Sequence, residues 1–180
     1  LADDCLSTIE VMRQLGATIK EEDANLIIMG KSYKNFSQPK EKIYAGNSGT
    51  LMRLVSGLLS MQDFSSEIYG DKSLMNRPME RICKPLREIG CKLDTFNGSP
   101  PIKFYPSSEK KSFEYENTLA SAQVKSCMIF AAICLQGKSV IKEKIATRDH
   151  TERLLSYLDY PIKKVDNNIC ITGQGDINPK

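Results

Sequence analysis

The sequence is poor in the residues that build metal centres and disulfide frameworks. Its 180 residues include no tryptophan and only one histidine, His150. The six cysteines stand far apart and form no CxxC pair, whereas a zinc site needs closely spaced cysteine and histidine ligands. We therefore predict neither a metal nor a disulfide framework, and we interpret the cysteines as reduced thiols that pack as small hydrophobic side chains.

Long apolar runs and a strong charge of one sign are absent as well. The longest apolar run, Cys127 to Leu135, is about half of the roughly 18 residues that a membrane span requires, and it predicts a buried helix. Lysine and arginine total 25 against 22 acidic residues, a net charge of +3. Such a small excess does not indicate a nucleic-acid-binding protein, and we expect neither nucleic acid nor a membrane as a partner.

What the sequence does contain is a repeat of roughly 70 residues, which is too long for a solenoid. Three segments, 7–30, 79–106 and 151–173, share the order amphipathic helix, turn, strand, turn, strand. Two further segments, 49–69 and 121–144, each have the pattern of a helix followed by a strand. Together they predict a unit of strand, helix, strand, helix, strand, strand, of which the first copy lacks its opening three elements.

The ends of the repeated helices are marked by residues that leave the helical conformation. The first two helices are predicted to end at Gly16 and Gly90, which adopt the left-handed C-cap conformation without a steric penalty. The third is predicted to end at Asp159, which adopts this conformation less readily. The three ends are spaced nearly equally along the chain, as a repeat requires.

The predicted fold class is α/β (α+β), a single domain over residues 1–180 with pseudo-threefold βαβαββ repeats. We assign 1–31 to a partial first repeat, 43–106 to the second and 113–173 to the third. Residues 174–180 are expected to form a crossover towards a second domain. Because the first repeat is truncated, we also expect the chain to be part of a longer protein.

Polar segments precede the predicted helices, and they are the candidate functional sites. Gly46 and Gly49 flank the start of one helix, where glycine lets a ligand approach the backbone and free N–H groups attract anions. This segment is not a P-loop, because the GxxxxGK[ST] pattern is absent. Arg77 stands at the entrance of the next helix, where a guanidinium group can bind a carboxylate or a phosphate through two hydrogen bonds.

The third polar segment opens the apolar central helix. Ser121 is a candidate N-cap, and Gln123 offers both a donor and an acceptor at the same helix end. If the repeats are related by symmetry, these helix starts converge, and a cluster of helix N-termini with arginines predicts an anion site. The spacing provides no paired carboxylates, no Ser-His-Asp set and no metal cluster.

The last helix follows the most charged short run of the chain, Thr147-Arg148-Asp149-His150-Thr151-Glu152-Arg153. We interpret its histidine as structural rather than catalytic. Asp149 or Thr151 is expected to cap the helix, and Glu152 is expected to interact favourably with the helix dipole from the first turn.

Four motifs in register resemble the 5-enolpyruvylshikimate-3-phosphate synthase family. They are GNSGTLMRL at 46–54, GDKSLMNRPMERICKPLREIG at 70–90, LASAQVKSCMIFAAI at 119–133 and TRDHTERLL at 147–155. The early segment LADDCLSTIEVMRQLGA at 1–17 is similar to the family's early helix. The resemblance follows the family's order over nearly the whole chain, and SAQVKS and RDHTER are similar to the enzymes of Gram-positive bacteria.

The resemblance implies a fold of the enolpyruvyl transferase type, an inverse α/β barrel. Family members have two similar domains of three βαβαββ units, with the substrates in the cleft between them. The resemblance implies transfer of the enolpyruvyl group of phosphoenolpyruvate to the 5-hydroxyl of shikimate 3-phosphate, with release of phosphate and without a cofactor. The enzyme would be a cytoplasmic monomer of aromatic amino-acid biosynthesis.

The resemblance also implies a phosphoenolpyruvate site. Gly49 of the GNSGT motif and Arg77 of the NRPM motif would contact this substrate, Arg77 through its phosphate or carboxylate. Gln123 of the SAQ motif would lie between the two ligands. Because Gly49 is not replaced by the alanine that is associated with insensitivity to glyphosate, we expect the intact enzyme to be inhibited by this compound.

The implied shikimate 3-phosphate site comprises Ser121, Ala122, Gln123, Thr147 and Arg148. Arg148 would bind the phosphate of this substrate. Ala122 stands where some family members have a second serine, so one hydroxyl contact is expected to be missing. Thr147 replaces a common serine and retains the hydroxyl group.

The chain carries only part of the machinery that the resemblance implies. Family members are more than twice as long, and their second domain supplies the carboxylates for acid and base catalysis. We therefore assign no catalytic residue within this chain. We expect it to bind substrate weakly, as half of a cleft, and to be catalytically incompetent alone, with the missing second domain as its partner.

Besides a regulatory or truncated remnant of the family, two alternative functions remain open. One is an enolpyruvyl transferase that acts on UDP-N-acetylglucosamine and shares the fold. The other is a non-catalytic module of the same fold that binds phosphate or nucleic-acid ends. The weak net charge and the few aromatic residues disfavour the second alternative.

Overall fold

The computed structural model describes residues 1–23 and 25–175, and it is mixed α/β as predicted. Its helices are α1 (Asp3–Gln14), α2 (Gly49–Leu59), α3 (Glu80–Glu88), α4 (Ala122–Cys134) and α5 (His150–Tyr157). Its strands are β1 (Thr18–Glu22), β2 (Asn25–Met29), β3 (Ile43–Tyr44), β4 (Ser66–Tyr69), β5 (Lys92–Phe96), β6 (Ser99–Tyr105), β7 (Glu114–Asn117), β8 (Lys138–Glu143), β9 (Ile162–Val165) and β10 (Asn168–Thr172). None of the described helices is long and apolar enough to cross a bilayer.

Two four-stranded sheets share one topology. The order is β3-β4-β6-β5 in one and β7-β8-β10-β9 in the other. In each sheet the first pair is parallel and the other two pairs are antiparallel. The order strand, helix, strand, helix, strand, strand is therefore present twice, and the first unit contributes α1 and the two-stranded sheet β1-β2. The exact repeat boundaries stay a prediction, and 176–180 of the predicted crossover lie outside the described residues.

The core is organised around α2 and α4, which pack against each other. The helix α4 is buried nearly all round, as the apolar run predicts, and α2 buries Leu51, Val55 and Leu59 on one face. At the crossing of the two helices Gly57 faces the carbonyl oxygen of Cys127, and a Cβ at residue 57 would overlap that oxygen. This close approach sets the distance between the two helices at their crossing.

The helix ends fall where the sequence predicts them. Gly16 and Gly90 have φ angles of 98° and 94°, in the left-handed region that glycine adopts without a steric penalty. Asp159 follows α5 with a φ of 57°, so aspartate takes the same conformation at a higher conformational cost. The chain therefore leaves each of these helices through the same left-handed conformation before it forms the antiparallel strand pair.

The cysteines pack in the core more than they face solvent. Cys83, Cys91 and Cys127 are buried, and Cys5 is exposed. Burial raises the pKa of Cys83 to about 12 and that of Cys91 to about 11. These buried thiols are therefore neutral at physiological pH and serve as small hydrophobic side chains, as the sequence predicts.

Candidate functional site

Two neighbouring clefts lie where the polar segments before the helices meet. The Gly49 cleft has a volume of 430 Å³ and is lined by Asp3, Asp4, Asn47, Ser48, Gly49, Thr50, Arg53, Arg77 and Gln123. The Arg148 cleft has a volume of 520 Å³ and is lined by Arg81, Leu119, Ala120, Ser121, Ala122, Gln123, Ile145, Ala146, Thr147 and Arg148. All seven residues of the two substrate sites that the resemblance implies line one of the two clefts, and Gln123 lines both, whereas Gly46 lines neither.

The start of α2 forms the floor of the Gly49 cleft. Ser48 caps this helix, since its hydroxyl accepts a hydrogen bond from the Leu51 N–H at 3.2 Å. A Cβ at Gly49 would stand 2.9 Å from Nη1 of Arg77 and 3.0 Å from Nη1 of Arg53. The two guanidinium groups therefore lie in space that a side chain at residue 49 would crowd.

Arg77 is held in the Gly49 cleft by Asn47 and Asp71, which were not predicted as site residues. Its Nη2 donates to Oδ1 of Asn47 at 2.5 Å, and the Asn47 amide donates to Asp71 at 2.6 Å. The Asn47 amide lowers the pKa of Asp71, and the hydrogen bond from the Leu74 N–H to this carboxylate lowers it further. The ionised Asp71 thus orients Asn47 so that the amide oxygen faces Arg77.

Arg53 is the most informative residue that the sequence analysis missed. It is buried on α2, where its Nη1 donates to Oε1 of Gln123 at 3.1 Å. The Gln123 amide in turn donates to Oγ1 of Thr50 at 3.0 Å. Burial lowers the pKa of Arg53, and the charges of Arg81 and Arg77 lower it further. A single arginine in an otherwise apolar helix, one turn after Gly49, is the sequence signal that would have found it.

The buried guanidinium of Arg53 is not paired with a carboxylate in the described chain, although the exposed Asp3 and Asp4 line the same cleft. Among residues 1–23 and 25–175, no acidic side chain forms an ion pair with Arg53, and its buried Nε has no hydrogen-bond partner. Like charges that crowd a buried guanidinium are stabilised by an anion of opposite charge. The Gly49 cleft is therefore suited chemically to a small anion.

The Arg148 cleft lies at the start of α4. Ser121 caps this helix as predicted, and its hydroxyl accepts from the Val124 N–H at 3.4 Å. Thr147 donates its hydroxyl to Glu143 at 2.6 Å and its N–H to the same oxygen at 3.2 Å. Arg148 is exposed, and its guanidinium makes no hydrogen bond or ion pair within the described part of the chain. The Arg148 cleft is thus lined by the guanidinium of Arg148 and by hydroxyl groups.

The start of α5 differs from the prediction. Asp149 precedes the helix but makes no capping hydrogen bond with its side chain. The Thr151 hydroxyl pairs with that of Ser126 at 2.7 Å instead of capping the helix. Glu152 stands in the first turn as predicted, but it is buried and lies 2.6 Å from Nζ of Lys125. His150 is exposed and lines neither cleft.

Comparison with known proteins identifies the family of this arrangement. The family model described as EPSP synthase (3-phosphoshikimate 1-carboxyvinyltransferase) matches residues 1–180. A 3-phosphoshikimate 1-carboxyvinyltransferase of Streptococcus sanguinis is 45% identical over 174 residues, 95% of this chain and 40% of that protein. One of Vesicomyosocius okutanii subsp. Calyptogena okutanii is 42% identical over 175 residues, 97% of this chain and 40% of that protein.

Solved structures agree with the sequence relatives. An EPSP synthase from Acinetobacter baumannii superposes with a TM-score of 0.92 at 38% identity, covering 99% of this chain and 41% of that one. The predicted fold class is therefore confirmed. The chain spans about 40% of the length of the curated relatives it matches. On the sequence match and the fold together, the chain belongs to the EPSP synthase (3-phosphoshikimate 1-carboxyvinyltransferase) family.

Proposed function

We propose that this chain provides half of the substrate cleft of an EPSP synthase. The complete enzyme would transfer the enolpyruvyl group of phosphoenolpyruvate to the 5-hydroxyl of shikimate 3-phosphate and release phosphate. The observation that carries the proposal is the pair of cationic clefts joined by Gln123, because the reaction must hold two phosphorylated substrates side by side. The enzyme would act as a cytoplasmic monomer, with 1–31, 43–106 and 113–173 as three repeats of one domain.

Phosphoenolpyruvate is assigned to the Gly49 cleft. It carries a phosphate and a carboxylate, and each is a good partner for a guanidinium group. Arg77 and Arg53 both reach the open side of Gly49, and the N-terminus of α2 adds backbone N–H groups. The unbalanced positive charge around Arg53 supports this assignment, because the substrate would supply the missing anion.

Shikimate 3-phosphate is assigned to the Arg148 cleft. The guanidinium of Arg148 would bind the phosphate group, and the Ser121 hydroxyl would donate a hydrogen bond to it. Thr147 would contact the substrate as part of the cleft wall, since its hydroxyl and its N–H both donate to Glu143. Ala122 lines the same cleft without a hydroxyl, so it would contribute contact surface only. Arg81 also lines this cleft and would add a second positive charge.

Gln123 would position the two substrates relative to each other. Its side chain already bridges Arg53 and Thr50 of α2, although it belongs to α4. Preorganised donors and cations of this kind stabilise the negative charge of a reacting phosphorylated substrate without reorganising during the reaction. The proton transfers to the enolpyruvyl carbon and from the hydroxyl would be performed by groups of the second domain.

The proposal is tested by phosphate release in a polypeptide of full family length that contains this segment. Release should require phosphoenolpyruvate and shikimate 3-phosphate together, and Arg77→Ala should reduce it about a hundredfold through the lost charge-assisted hydrogen bonds. The 180-residue chain alone should give no steady release. Release that depends on UDP-N-acetylglucosamine instead of shikimate 3-phosphate would overturn the substrate assignment.

A further inference from the structure

A buried ionic cluster lies beneath the Arg148 cleft. It consists of Lys125 on α4, Glu143 at the end of β8 and Glu152 on α5, which are 0%, 2% and 7% exposed. The Lys125 Nζ lies 3.2 Å from Oε1 of Glu143 and 2.6 Å from Oε1 of Glu152. Each member comes from a different element, so the cluster joins a helix, a strand end and a second helix.

Stability alone gives little reason for burying these three charges. Removing a carboxylate and an ammonium group from water costs several kcal/mol per ion, and apolar side chains of similar volume often stabilise a core equally well. Short contacts between buried opposite charges do, however, couple the positions of the elements that carry them. The cluster is therefore suited to fixing the geometry of the residues bonded to it.

One member of the cluster is bonded directly to the loop that lines the Arg148 cleft. Oε1 of Glu143 accepts the Thr147 hydroxyl at 2.6 Å and the Thr147 N–H at 3.2 Å. On its other side Lys125 lies one turn after Ser121 in α4. The cluster thus connects both walls of the cleft, the helix start and the loop. The exposed Lys164 of β9 also lies near the cluster, 3.9 Å from Oε2 of Glu143.

The orientation of the Arg148 side chain depends on the bonds between Glu143 and the preceding residue. Its guanidinium has no partner among the described residues, so only the backbone of the loop directs it towards the cleft. Thr147 is the preceding residue, and both its hydroxyl and its N–H are bound to Glu143. A shift at Glu143 would therefore move Thr147 and, with it, Arg148, the proposed ligand of the phosphate.

We propose that Glu143, held by Lys125 and Glu152, is the positioning residue for the shikimate 3-phosphate site. This inference rests on the proposed function. Glu143 does not touch the substrate, and it acts by holding Thr147 and aiming Arg148. Loss of its charge would release the loop and weaken shikimate 3-phosphate binding, whereas the Gly49 cleft on the other side of Gln123 would remain intact.

The kinetic test uses Glu143→Gln in a polypeptide of full family length that contains this segment. The variant should raise the KM for shikimate 3-phosphate about tenfold and change the KM for phosphoenolpyruvate by less than about twofold. Glu114→Gln is the matched control, since Glu114 on the neighbouring strand β7 makes an exposed ion pair with Lys142. Equal changes in both KM values, or no change in either, would overturn the proposal.

A second readout separates the positioning role from the proposed function. In the 180-residue chain, Glu143→Gln should speed hydrogen exchange of the Thr147 amide about tenfold and leave the exchange of the Ile141 amide unchanged. Unchanged Thr147 exchange would overturn the positioning role even where the enzyme is active. Absence of any shikimate 3-phosphate-dependent reaction in the wild type, with Thr147 exchange altered, would overturn the substrate and leave the positioning of the loop established.

Glu152→Gln provides the second variant, because it weakens the same cluster without touching Thr147. It should change the KM for shikimate 3-phosphate in the same direction as Glu143→Gln. The circular dichroism spectrum and the Tm are recorded for both variants. Loss of folded structure in both would assign the cluster to stability and overturn the positioning role.

Discussion

At the scale of single residues, the Gly49 cleft depends on a missing side chain. The space that a Cβ would occupy at residue 49 is bordered by two guanidinium groups, those of Arg77 and Arg53. Arg77 donates to Asn47, which in turn donates to Asp71. Arg53 donates to Gln123. Cationic groups that are fixed before the substrate arrives lose little conformational entropy on binding.

Gly49→Ala is therefore predicted to weaken phosphoenolpyruvate binding. The new methyl group would stand 2.9 Å from Arg77 and 3.0 Å from Arg53, so both guanidinium groups must move. We expect the KM for phosphoenolpyruvate in the full-length enzyme to rise about tenfold, while the Tm changes little. Gly30→Ala is the control, because a Cβ there meets nothing within 4 Å. An unchanged KM in Gly49→Ala would contradict the assignment of this cleft.

Residues with local signals were predicted, whereas residues defined by distant partners were not. Ser121 was recognised as a cap because a cap depends on the next three residues. Arg53, Glu143 and Glu152 were not recognised, since their partners lie on other elements and no local pattern names them. Glu152 illustrates the difference: its first-turn position was predicted, but its ion pair with Lys125 of α4 depends on the tertiary fold.

At the scale of the elements, the contact between α2 and α4 determines how the two clefts meet. The helices approach closely at Gly57, and their N-termini carry Gly49 and Gln123. The hydrogen bonds from Gln123 to Arg53 and Thr50 require this register. The helices themselves were predictable from apolar periodicity, but their crossing point was not, because no sequence pattern specifies which residues of two helices meet.

Gly57→Ala is predicted to destabilise the fold. Its Cβ would overlap the carbonyl oxygen of Cys127, which belongs to helix backbone and cannot rotate away. Overpacking of this kind costs about 1–3 kcal/mol, measured as the free energy of unfolding in urea. Gly30→Ala should leave that free energy nearly unchanged, since its site is open. Equal stability of the two variants would show that the helices separate without cost.

The packing of α3 against α4 predicts a sensitivity to alkaline pH. Burial raises the pKa of Cys83 to about 12. In the unfolded chain this thiol retains the ordinary cysteine pKa of about 8.5. The neutral thiol is thus favoured by folding. Its contribution is complete below pH ~8.5 and declines by about 1.4 kcal/mol per pH unit until the folded pKa is reached.

This sensitivity is measured by urea unfolding of the reduced protein at several pH values between about 8 and 10. The free energy of unfolding should fall with pH less steeply in Cys83→Ala than in the wild type, because one titrating thiol has been removed. Cys5→Ala serves as the control, since Cys5 is exposed. Parallel slopes in the wild type and Cys83→Ala would contradict the neutral, buried thiol.

At the scale of the whole molecule, the three units are unequally built. Two of them have four-stranded sheets and share the main core, whereas β1 and β2 form a separate two-stranded sheet. The side chains packed beneath this sheet form a small cluster of their own, Ile9, Ala17 and Ile19. On β2, Ile28 is 62% exposed. The repeat was visible in the sequence as equal spacing, but the different depth of burial in each unit was not.

Hydrogen exchange should reveal this inequality. An isolated two-stranded sheet is marginally stable, so amides of β1 and β2 are expected to exchange about a hundredfold faster than those of β4 and β6. The comparison uses paired residues, Ile19 with Ile28 and Ile68 with Ile102. Equal protection of the two pairs would indicate that the chain opens as one cooperative unit.

The most direct test of the two-cleft account is a titration of the isotope-labelled 180-residue chain, followed through its backbone amide resonances. Shikimate 3-phosphate should produce saturable shifts at 121–126 and 147–151, and unphosphorylated shikimate should not. Phosphoenolpyruvate added next should shift the amides of 46–50 and of Arg77. A folded chain without saturable shifts, or with shifts away from both clefts, would contradict the account.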